Sequence, residues 1–510
     1  MPDSNTSFAS YYHEQTKYHP ETIASKNKVL DWGSQPSVFK EYKIGTIYDL
    51  QPFLTASLTE DPDTRAWERL SRLLACSYGL TAKIPSMGKP IYLRTAPSAG
   101  GLYPAEVYLI SRGTKLLPSG LYSYQPLTHS LIHFWASEVW TKLKEACFNH
   151  LALKNTSLVL VTTAIFNRSA WRYEDRAYRR IFLDTGHLLG NIELAGTLYG
   201  YHPHLIGGFR DQAMNDLLYL DADQESVMTV IPLTDLQTAN SAIVESPLTA
   251  LPSPIGHDFP SVRAGELLKA FHHATEIQEP LSKDLLRSQV THQGAEDKYN
   301  FPFCLKISTQ TSPINWGNNL AELEKTILRR RSTRAYTGEF LTLDELKALL
   351  SFTYQSQDYE TQNLDSSPDY FDLSLIQTFI AVSGVTGLEE GCYYYAPQAQ
   401  ELRQIRFKNF RSELHYLCLG QDLGRDAGAV IFHTADLQQA VQKYGDRVYR
   451  YLHLDAGHLG QRLNLAGVQL GLGVSGIGGF FDDQVNEVLG IPEDEAALYI
   501  TTLGRPRFSF

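Results

Sequence analysis

Short apolar runs and longer periodic segments alternate along the chain. The short runs are rich in β-branched residues and predict strands, namely EVYLI at 106–110, LVLVTT at 158–163, AVIF at 429–432 and ALYITT at 497–502. The longer segments predict helices over about 174–199 and 445–470. A capping-box pattern of Thr342 and Glu345 predicts the start of a further helix. Helices that flank a mainly antiparallel sheet give an α+β fold class.

The whole pattern occurs twice. Residues 173–218 align without a gap to 444–489, an offset of 271, and 21 of these 46 positions are identical, where average amino-acid usage gives about three. We therefore predict two tandem copies of one fold, with a first half over 1–237, a connecting segment over 238–315 and a second half over 316–510. The connecting segment is rich in Pro, Ser and Gly, and one helix is predicted around Ala264 to His273. We expect this segment to lie over the surface.

Composition and charge narrow the class of protein. The 510 residues are 43% hydrophobic and 20% charged, which is typical of a folded chain with two cores. A net charge of −11 and an isoelectric point near 5.8 argue against nucleic acid or an anionic membrane as partner. The five cysteines are scattered along the chain, which is typical of a reducing compartment. The N-terminal residues do not show the pattern of a secretion signal, and no apolar run is long enough to span a bilayer. We therefore predict a soluble, cytoplasmic protein.

Three segments carry candidate chemistry. The first is the basic run RRRSTR at 329–334, the second is the small-residue loop PSAGGLYP at 97–104, and the third is the C-terminal region with a glycine turn at 478–479 and LGRPR at 503–507. Taken alone, the basic run is typical of a solvated helix end and the loop of a simple turn.

Together these segments resemble the nitroreductase superfamily. PSAGGLYP and the opening YHEQTKYHP are specifically similar to the SagB-type dehydrogenases, flavoproteins that oxidise azoline rings in peptides. The resemblance implies FMN bound where two copies of the fold meet. The basic run, the glycine turn and the C-terminal arginine then come from one copy, and the small-residue loop comes from the other.

The two halves of this chain share these motifs unequally. The second half has RRRSTR and Arg505 but PDYFDLSL in place of the loop, whereas the first half has the loop but Thr234 at the position of Arg505. The resemblance therefore implies one complete FMN site, drawn from both halves of a chain that can be monomeric as an intrachain pseudo-dimer.

The resemblance and the residue types together assign the cofactor contacts. Guanidinium and hydroxyl groups suit a phosphate, a cation such as Arg334 suits the negative charge of a reduced flavin, and glycine backbone can approach the ring closely. The expected cofactor-binding residues are Pro97, Ser98, Ala99, Gly100, Gly101, Arg330, Arg331, Ser332, Arg334, Ile477, Gly478, Gly479 and Arg505.

A catalytic pair is implied by the same resemblance. In SagB-type enzymes a Lys-Tyr pair that precedes an R-x-Y-R helix deprotonates the substrate, and here Lys443 and Tyr444 precede such a helix, while the first half has Arg172 and Tyr173. The alternative is a surface lysine beside a packed tyrosine.

Two further motifs are better explained by structure than by ligands. The G-x-G-x-x-G spacing at Gly471, Gly473 and Gly476 follows a predicted helix instead of joining a strand to a helix, so we reject a dinucleotide fold. The D-x-G-H motifs at 184–187 and 455–458 occur in both halves, which favours shared helix packing over a metal site.

The predicted function is FMN-dependent hydride transfer through flavin N5 to or from a small molecule or a modified peptide, with NAD(P)H or the substrate as reductant. The alternative is a non-catalytic, flavin-free binding subunit of a peptide-modifying complex.

Overall fold

The structure is a computed structural model that describes residues 6–23, 30–54, 61–86, 90–237, 249–259, 262–263, 265–279 and 296–508. Its helices are α1 (Phe8–Gln15), α2 (Pro20–Ile23), α3 (Pro62–Tyr78), α4 (Trp140–Ala146), α5 (Phe166–Tyr173), α6 (Ala177–Leu198), α7 (Asp211–Leu217), α8 (Leu267–Ala274), α9 (Ala321–Arg329), α10 (Leu343–Tyr354), α11 (Arg411–Leu417), α12 (Asp422–Asp426), α13 (Leu437–Tyr444), α14 (Val448–Gln469) and α15 (Asp482–Leu489). Its strands are β1 (Thr46–Asp49), β2 (Leu80–Ile84), β3 (Ile91–Arg94), β4 (Ala105–Ser111), β5 (Gly120–Gln125), β6 (Ser130–Trp135), β7 (Leu158–Ile165), β8 (Tyr201–Pro203), β9 (Glu225–Asp235), β10 (Lys306–Ser308), β11 (Leu341–Thr342), β12 (Gln377–Val382), β13 (Val385–Thr386), β14 (Gly391–Ala396), β15 (Glu401–Arg406), β16 (Ala429–Asp436), β17 (Gly473–Ile477) and β18 (Glu495–Gly504).

Fourteen of the strands form two seven-stranded antiparallel sheets with the same topology, and the pairs β2-β3 and β11-β13 form two small sheets. The first has the order β1-β6-β5-β4-β7-β9-β8 and the second has the order β10-β15-β14-β12-β16-β18-β17. The register between β7 and β9 shifts between Thr162 and Thr163, and the register between β16 and β18 shifts between His433 and Thr434, which are the same positions in the repeat. The α+β fold class and the duplication are therefore confirmed, down to a bulge in the equivalent strand pair.

The helix that begins with the capping box forms as predicted. Thr342 accepts a hydrogen bond from the backbone N–H of Glu345, and the Glu345 carboxylate accepts one from the backbone N–H of Thr342. The helix predicted near residue 264 is α8, which begins at Leu267; Ala264 lies outside the described residues.

Helices α6 and α14 cross at the centre of the molecule through the two D-x-G-H motifs. A Cβ atom added to Gly186 would lie 2.2 Å from the Leu454 carbonyl oxygen, so only glycine allows the helices to approach this closely. Asp184 accepts hydrogen bonds from the small-residue loop, and His187 bonds the hydroxyl of Tyr499 and the amide of Gln461. These motifs therefore pack the halves together and hold loops.

Buried ion pairs join the halves symmetrically. Arg176 and Arg179 of the first half contact Asp482 of the second at 2.8 and 2.6 Å. Arg447 and Arg450 of the second half contact Asp211 of the first at 2.7 and 2.8 Å. Each aspartate pairs with two arginines of the other half, so neither half neutralises its own buried charges.

The connecting segment departs from the expectation that it lies over the surface. Phe271 on α8 is fully buried and stacks on Tyr12 of α1 with ring centroids 4.4 Å apart, and β10 adds an edge strand to the second sheet. The expectation therefore fails at α8: the helix was predicted, but its apolar side chains gain free energy from burial against α1 and do not lie on the surface.

All five cysteines are unpaired. In the described part of the chain, no helix combines the length and the apolarity needed to cross a membrane.

Candidate functional site

A cavity of about 1000 Å³ lies where the two halves meet, and it is called here the interhalf cavity. This volume is at the upper end of the range of about 300–1,000 Å³ that small-molecule sites span. Its walls come from α1 and the residues after it, the small-residue loop, α5 and α6, the glycine turn and the basic run. The lining residues used below are Tyr18, Pro97, Ser98, Ala99, Gly100, Arg172, Tyr173, Glu174, Asp175, Arg176, Arg180, Asp184, His187, Arg263, Ser332, Arg334, Asn464, Gly476, Ile477, Gly478, Gly479 and Tyr499.

The small-residue loop is held by Asp184 on α6. Its carboxylate accepts a hydrogen bond from the Ser98 hydroxyl at 2.6 Å and one from the Ala99 backbone N–H at 3.1 Å. Burial raises the pKa of Asp184 to about 7, against the opposing effect of these donors. Gly100 has a φ of 66°, and a Cβ atom there lies 2.8 Å from the Tyr173 hydroxyl. The loop therefore needs glycine for both conformation and space.

The opposite wall is the glycine turn that follows β17. A Cβ atom on Gly476 falls on the hydroxyl of Tyr499, whereas a Cβ atom on Gly478 meets nothing closer than Arg180 at 3.6 Å. Gly476 is thus required by packing within the protein. Gly478 instead leaves its backbone open toward the cavity, where a planar ligand can lie against it.

The charge of the cavity lining is dominated by arginine. Arg176 is paired with Asp482, but within the described residues Arg180 and Arg334 have no carboxylate partner. Arg180 is 8% exposed. Among the described residues its Nε has no hydrogen-bond partner, and its Nη2 donates to the Gly478 carbonyl oxygen at 3.3 Å and to the Tyr18 hydroxyl at 3.4 Å. A buried cation with an unsatisfied donor fits an anionic ligand.

Nine of the thirteen residues expected to bind the cofactor line this cavity. They are Pro97, Ser98, Ala99, Gly100, Ser332, Arg334, Ile477, Gly478 and Gly479. Gly101 is adjacent in the chain but is not part of the lining. The structure therefore brings the small-residue loop of one half and the glycine turn of the other half to a common space.

The other three arginines have protein partners instead. Arg330 is buried and donates to the carbonyl oxygens of Thr95, at 2.6 Å, and Arg94, at 3.0 Å, across the halves; burial lowers its pKa to about 10. Arg331 donates to the carbonyl oxygen of Thr81 at 3.1 Å. Arg505 forms a two-bond ion pair with Glu345, each bond 2.8 Å long. In this structure these guanidinium groups bind protein partners and are not part of the cavity lining.

Lys443 and Tyr444, the expected catalytic pair, lie away from the interhalf cavity. Lys443 forms an ion pair with Asp372 at 2.5 Å, and the Tyr444 hydroxyl donates to the same carboxylate at 3.1 Å. The residues that line the cavity at the equivalent positions are Arg172 and Tyr173. The reason is the pseudo-twofold arrangement, which directs the residues before α14 toward the other junction.

That other junction is filled by side chains, and it is called here the closed site. Gly207 and Gly208 are the counterparts of Gly478 and Gly479. A Cβ atom on Gly207 lies 2.4 Å from the ring of Phe371, and one on Gly208 lies 2.3 Å from Leu251 of the connecting segment. Phe371 stacks on Tyr451 with centroids 5.0 Å apart. Aromatic and aliphatic groups thus occupy the space that the first junction leaves open.

Several lining residues were not predicted from the sequence to lie at the cavity. Arg180 aligns with Tyr451 in the repeat, and this difference between otherwise matching helices was an available signal. His187 bonds the Tyr499 hydroxyl at 2.8 Å and, with its pKa lowered to about 3 by burial, is neutral. The Oδ1 atom of Asn464 is buried without a hydrogen-bond partner. His187 belongs to the D-x-G-H motif that was interpreted as helix packing, and nothing in the local sequence distinguishes Asn464 from a core residue.

A family model described as "Nitroreductase family" matches residues 66–233 and again 327–505. The chain belongs to the nitroreductase family. Its two matched regions each contain one of the seven-stranded sheets almost entirely, so a nitroreductase fold is present twice.

Three proteins illustrate what the chain is similar to. A crystal structure of a nitroreductase-family protein from Anabaena variabilis is similar with a TM-score of 0.94 and 67% identity, over 99% of this chain and 100% of that chain. A nitroreductase-family protein of Methanocaldococcus jannaschii is 32% identical over 172 residues, 34% of this chain and 86% of that protein. The microcin B17-processing protein McbC of Escherichia coli is 29% identical over 150 residues, 28% of this chain and 52% of McbC.

Proposed function

We propose that the chain is an FMN-dependent oxidoreductase that binds one FMN in the interhalf cavity and transfers hydride to or from a small molecule or a modified peptide. The observation that carries the proposal is the pairing of a glycine turn with a buried arginine, Arg180, whose Nε has no hydrogen-bond partner among the described residues. Among the described residues, Arg180 Nε and Asn464 Oδ1 have no hydrogen-bond partner at the cavity, and a Cβ atom on Gly478 would meet nothing closer than Arg180 at 3.6 Å. These donors, acceptors and flat walls fit a planar, anionic cofactor.

The residues that would hold FMN come from both halves. Ser332 and Arg334 offer a hydroxyl and an unpaired guanidinium for the phosphate or for the charge of the reduced ring. The Pro97–Gly100 loop and the Ile477–Gly479 turn offer backbone surfaces for the ring, and Asp184 keeps the loop in place through Ser98. FMN, when bound, supplies hydride transfer at its N5 atom.

The residue at the expected base position limits the chemistry that the protein itself can perform. Arg172 stands there, and a guanidinium does not give up its proton in the accessible pH range. Proton abstraction by a lysine is therefore unavailable at this cavity. This favours reduction of an acceptor, with NAD(P)H as candidate reductant, over substrate deprotonation.

A second candidate is oxidation of azoline rings in a peptide. The similarity to McbC, whose name describes microcin B17 processing, favours it. In that case the Tyr173 hydroxyl, beside Gly100, is the group of the expected catalytic position that can move a proton. We propose a cytoplasmic location for either reaction, since all five thiols are unpaired.

The test is the absorbance spectrum of the purified protein, followed by turnover. A flavin band at about 450 nm and oxidation of NADH or NADPH with quinone or nitroaromatic acceptors are expected. A protein that remains colourless after incubation with FMN would instead support the flavin-free binding subunit.

A further inference from the structure

The interhalf cavity is positively charged in a protein that is negative overall. Among the described residues, its lining contains five arginines, no lysine and three acids: Arg172, Arg176, Arg180, Arg263 and Arg334, with Glu174, Asp175 and Asp184. The whole chain carries a net charge of −11. A cationic cleft in an acidic protein concentrates anionic ligands.

Two of the three acids are already engaged by backbone donors. The Asp175 carboxylate accepts from the N–H groups of Gly265 and Leu268 at 2.8 and 2.9 Å, where α8 begins. Asp184 accepts from the small-residue loop. Among the described residues, neither Arg172 nor Arg263 forms an ion pair, and both side chains are exposed. Arg172 belongs to the first half and Arg263 to the connecting segment. Both are separate from Ser332 and Arg334, which belong to the second half.

Arg172 is held at the edge of the small-residue loop by aromatic contacts. Its guanidinium lies 5.5 Å from the ring centre of Tyr173 and 6.0 Å from that of Trp32. A Cβ atom on Gly100 lies 3.4 Å from its Nη1 and 2.8 Å from the Tyr173 hydroxyl. The donors of Arg172 and Tyr173 therefore meet at the same loop residue.

The closed site shows what the equivalent pair binds. There Lys443 and Tyr444 both donate to the carboxylate of Asp372, at 2.5 and 3.1 Å. Asp372 lies on the loop that Asp455 holds through its backbone N–H, as Asp184 holds Ala99 in the first half. The first-half loop, PSAGG, carries no acid. In the closed site the cation and the tyrosine bind an internal carboxylate, whereas in the open site Arg172 and Tyr173 bind none from the part of the chain that the structure describes.

We infer that the second substrate of the open site carries a carboxylate, which Arg172 and the Tyr173 hydroxyl bind as Lys443 and Tyr444 bind Asp372. That the bound acid is a substrate rests on the proposed function. That a carboxylate binds depends only on Arg172 and Tyr173. Arg263 adds a second positive charge to the same cavity. The substrate class is a small organic acid, or a peptide that presents a carboxylate.

The experiment compares benzoate with benzamide, which have the same size and differ in charge. Each is titrated into the full chain by calorimetry, with FMN added and again without added FMN. Benzoate is expected to bind at least about tenfold tighter than benzamide, since a charge-assisted contact typically provides a factor of this order. Arg172→Gln is expected to remove this preference and to leave the FMN content unchanged.

The matched control is Arg112→Gln. Arg112 is also an exposed arginine beside an aromatic ring, 5.8 Å from that of Trp140, but it lies outside the cavity lining. This variant is expected to keep the preference for benzoate. As a second readout, Arg172→Gln should raise KM for 4-nitrobenzoate and leave KM for 4-nitrobenzyl alcohol unchanged.

The possible outcomes separate this inference from the proposed function. Equal binding of benzoate and benzamide, or a preference that persists in a folded Arg172→Gln variant, overturns the carboxylate site. Loss of FMN from Arg172→Gln also overturns it, because Arg172 then holds the cofactor. Absence of FMN with a preference that depends on Arg172 contradicts the proposed oxidoreductase and supports the carboxylate site.

Discussion

Gly186 and Gly457 face each other where α6 and α14 cross, and a Cβ atom on Gly457 lies 3.0 Å from the Cα atom of Gly186. The same atom lies 2.3 Å from the Leu183 carbonyl oxygen, so the two helices contact through their backbones. The crossing sets the distance between the halves. It therefore sets the width of both junctions, the open cavity and the closed site.

Gly457→Ala is expected to lower the free energy of unfolding by about 1–3 kcal/mol, because the added methyl group forces the helices apart. Helix propensity alone predicts the opposite sign, a gain of about 1 kcal/mol for Ala over Gly. Urea unfolding followed by circular dichroism measures the change. Gly256→Ala, whose Cβ atom meets nothing closer than 3.4 Å, is the control and should lie within about 0.5 kcal/mol of the parent. A stabilised Gly457→Ala variant would show that the crossing is looser than described.

Flavin released from the saturated protein is expected to approach one FMN per chain. Phe371 and Leu251 occupy the closed site against Gly207 and Gly208, so a second ring has no space there. The measurement is flavin absorbance after denaturation, divided by protein concentration. A ratio near two would contradict the proposed asymmetry of the two junctions.

Arg334→Ala is expected to weaken FMN binding by about ten- to a hundredfold, the cost of losing about 1.5–3 kcal/mol from one charge-assisted contact. Arg505→Ala should change it by less than about threefold, because its guanidinium is committed to a partly exposed ion pair with Glu345. Quenching of flavin fluorescence gives both affinities. If Arg505→Ala is as damaging as Arg334→Ala, Arg505 must leave Glu345 to contact the cofactor.

Asp455 is expected to lower the free energy of unfolding as the pH rises from about 4 to about 7. Burial raises the pKa of Asp455 to about 7, so in this window the native state keeps a proton that the unfolded state has released. Each pH unit then lowers the free energy of unfolding by at most about 1.4 kcal/mol for this group. Asp455→Asn removes the titrating group and lies at the closed site, away from the interhalf cavity. The free energy of unfolding of this variant should fall less steeply with rising pH than that of the parent, as measured by urea unfolding at pH 5, 6 and 7. Equal slopes for parent and variant would contradict the raised pKa.

The sequence by itself determined the duplication, the fold class and the family. An offset of 271 residues with matching motifs is a one-dimensional signal, and strands and helices follow from local periodicity. The capping box at Thr342 was predictable for the same reason, since both of its hydrogen bonds join residues three positions apart. The unequal distribution of PSAGGLYP and RRRSTR likewise indicated an asymmetric pair of junctions.

Only the tertiary structure decided which side chains face the open cavity. Lys443 and Tyr444 matched a motif but reach Asp372, and Arg172 and Tyr173 line the cavity instead, because the pseudo-twofold axis assigns each half's helix end to a particular junction. Arg505 likewise pairs with Glu345, 160 residues away in the chain. Which of these distant residues come into contact depends on how the two sheets and the α6–α14 crossing pack, and the local sequence does not specify that packing.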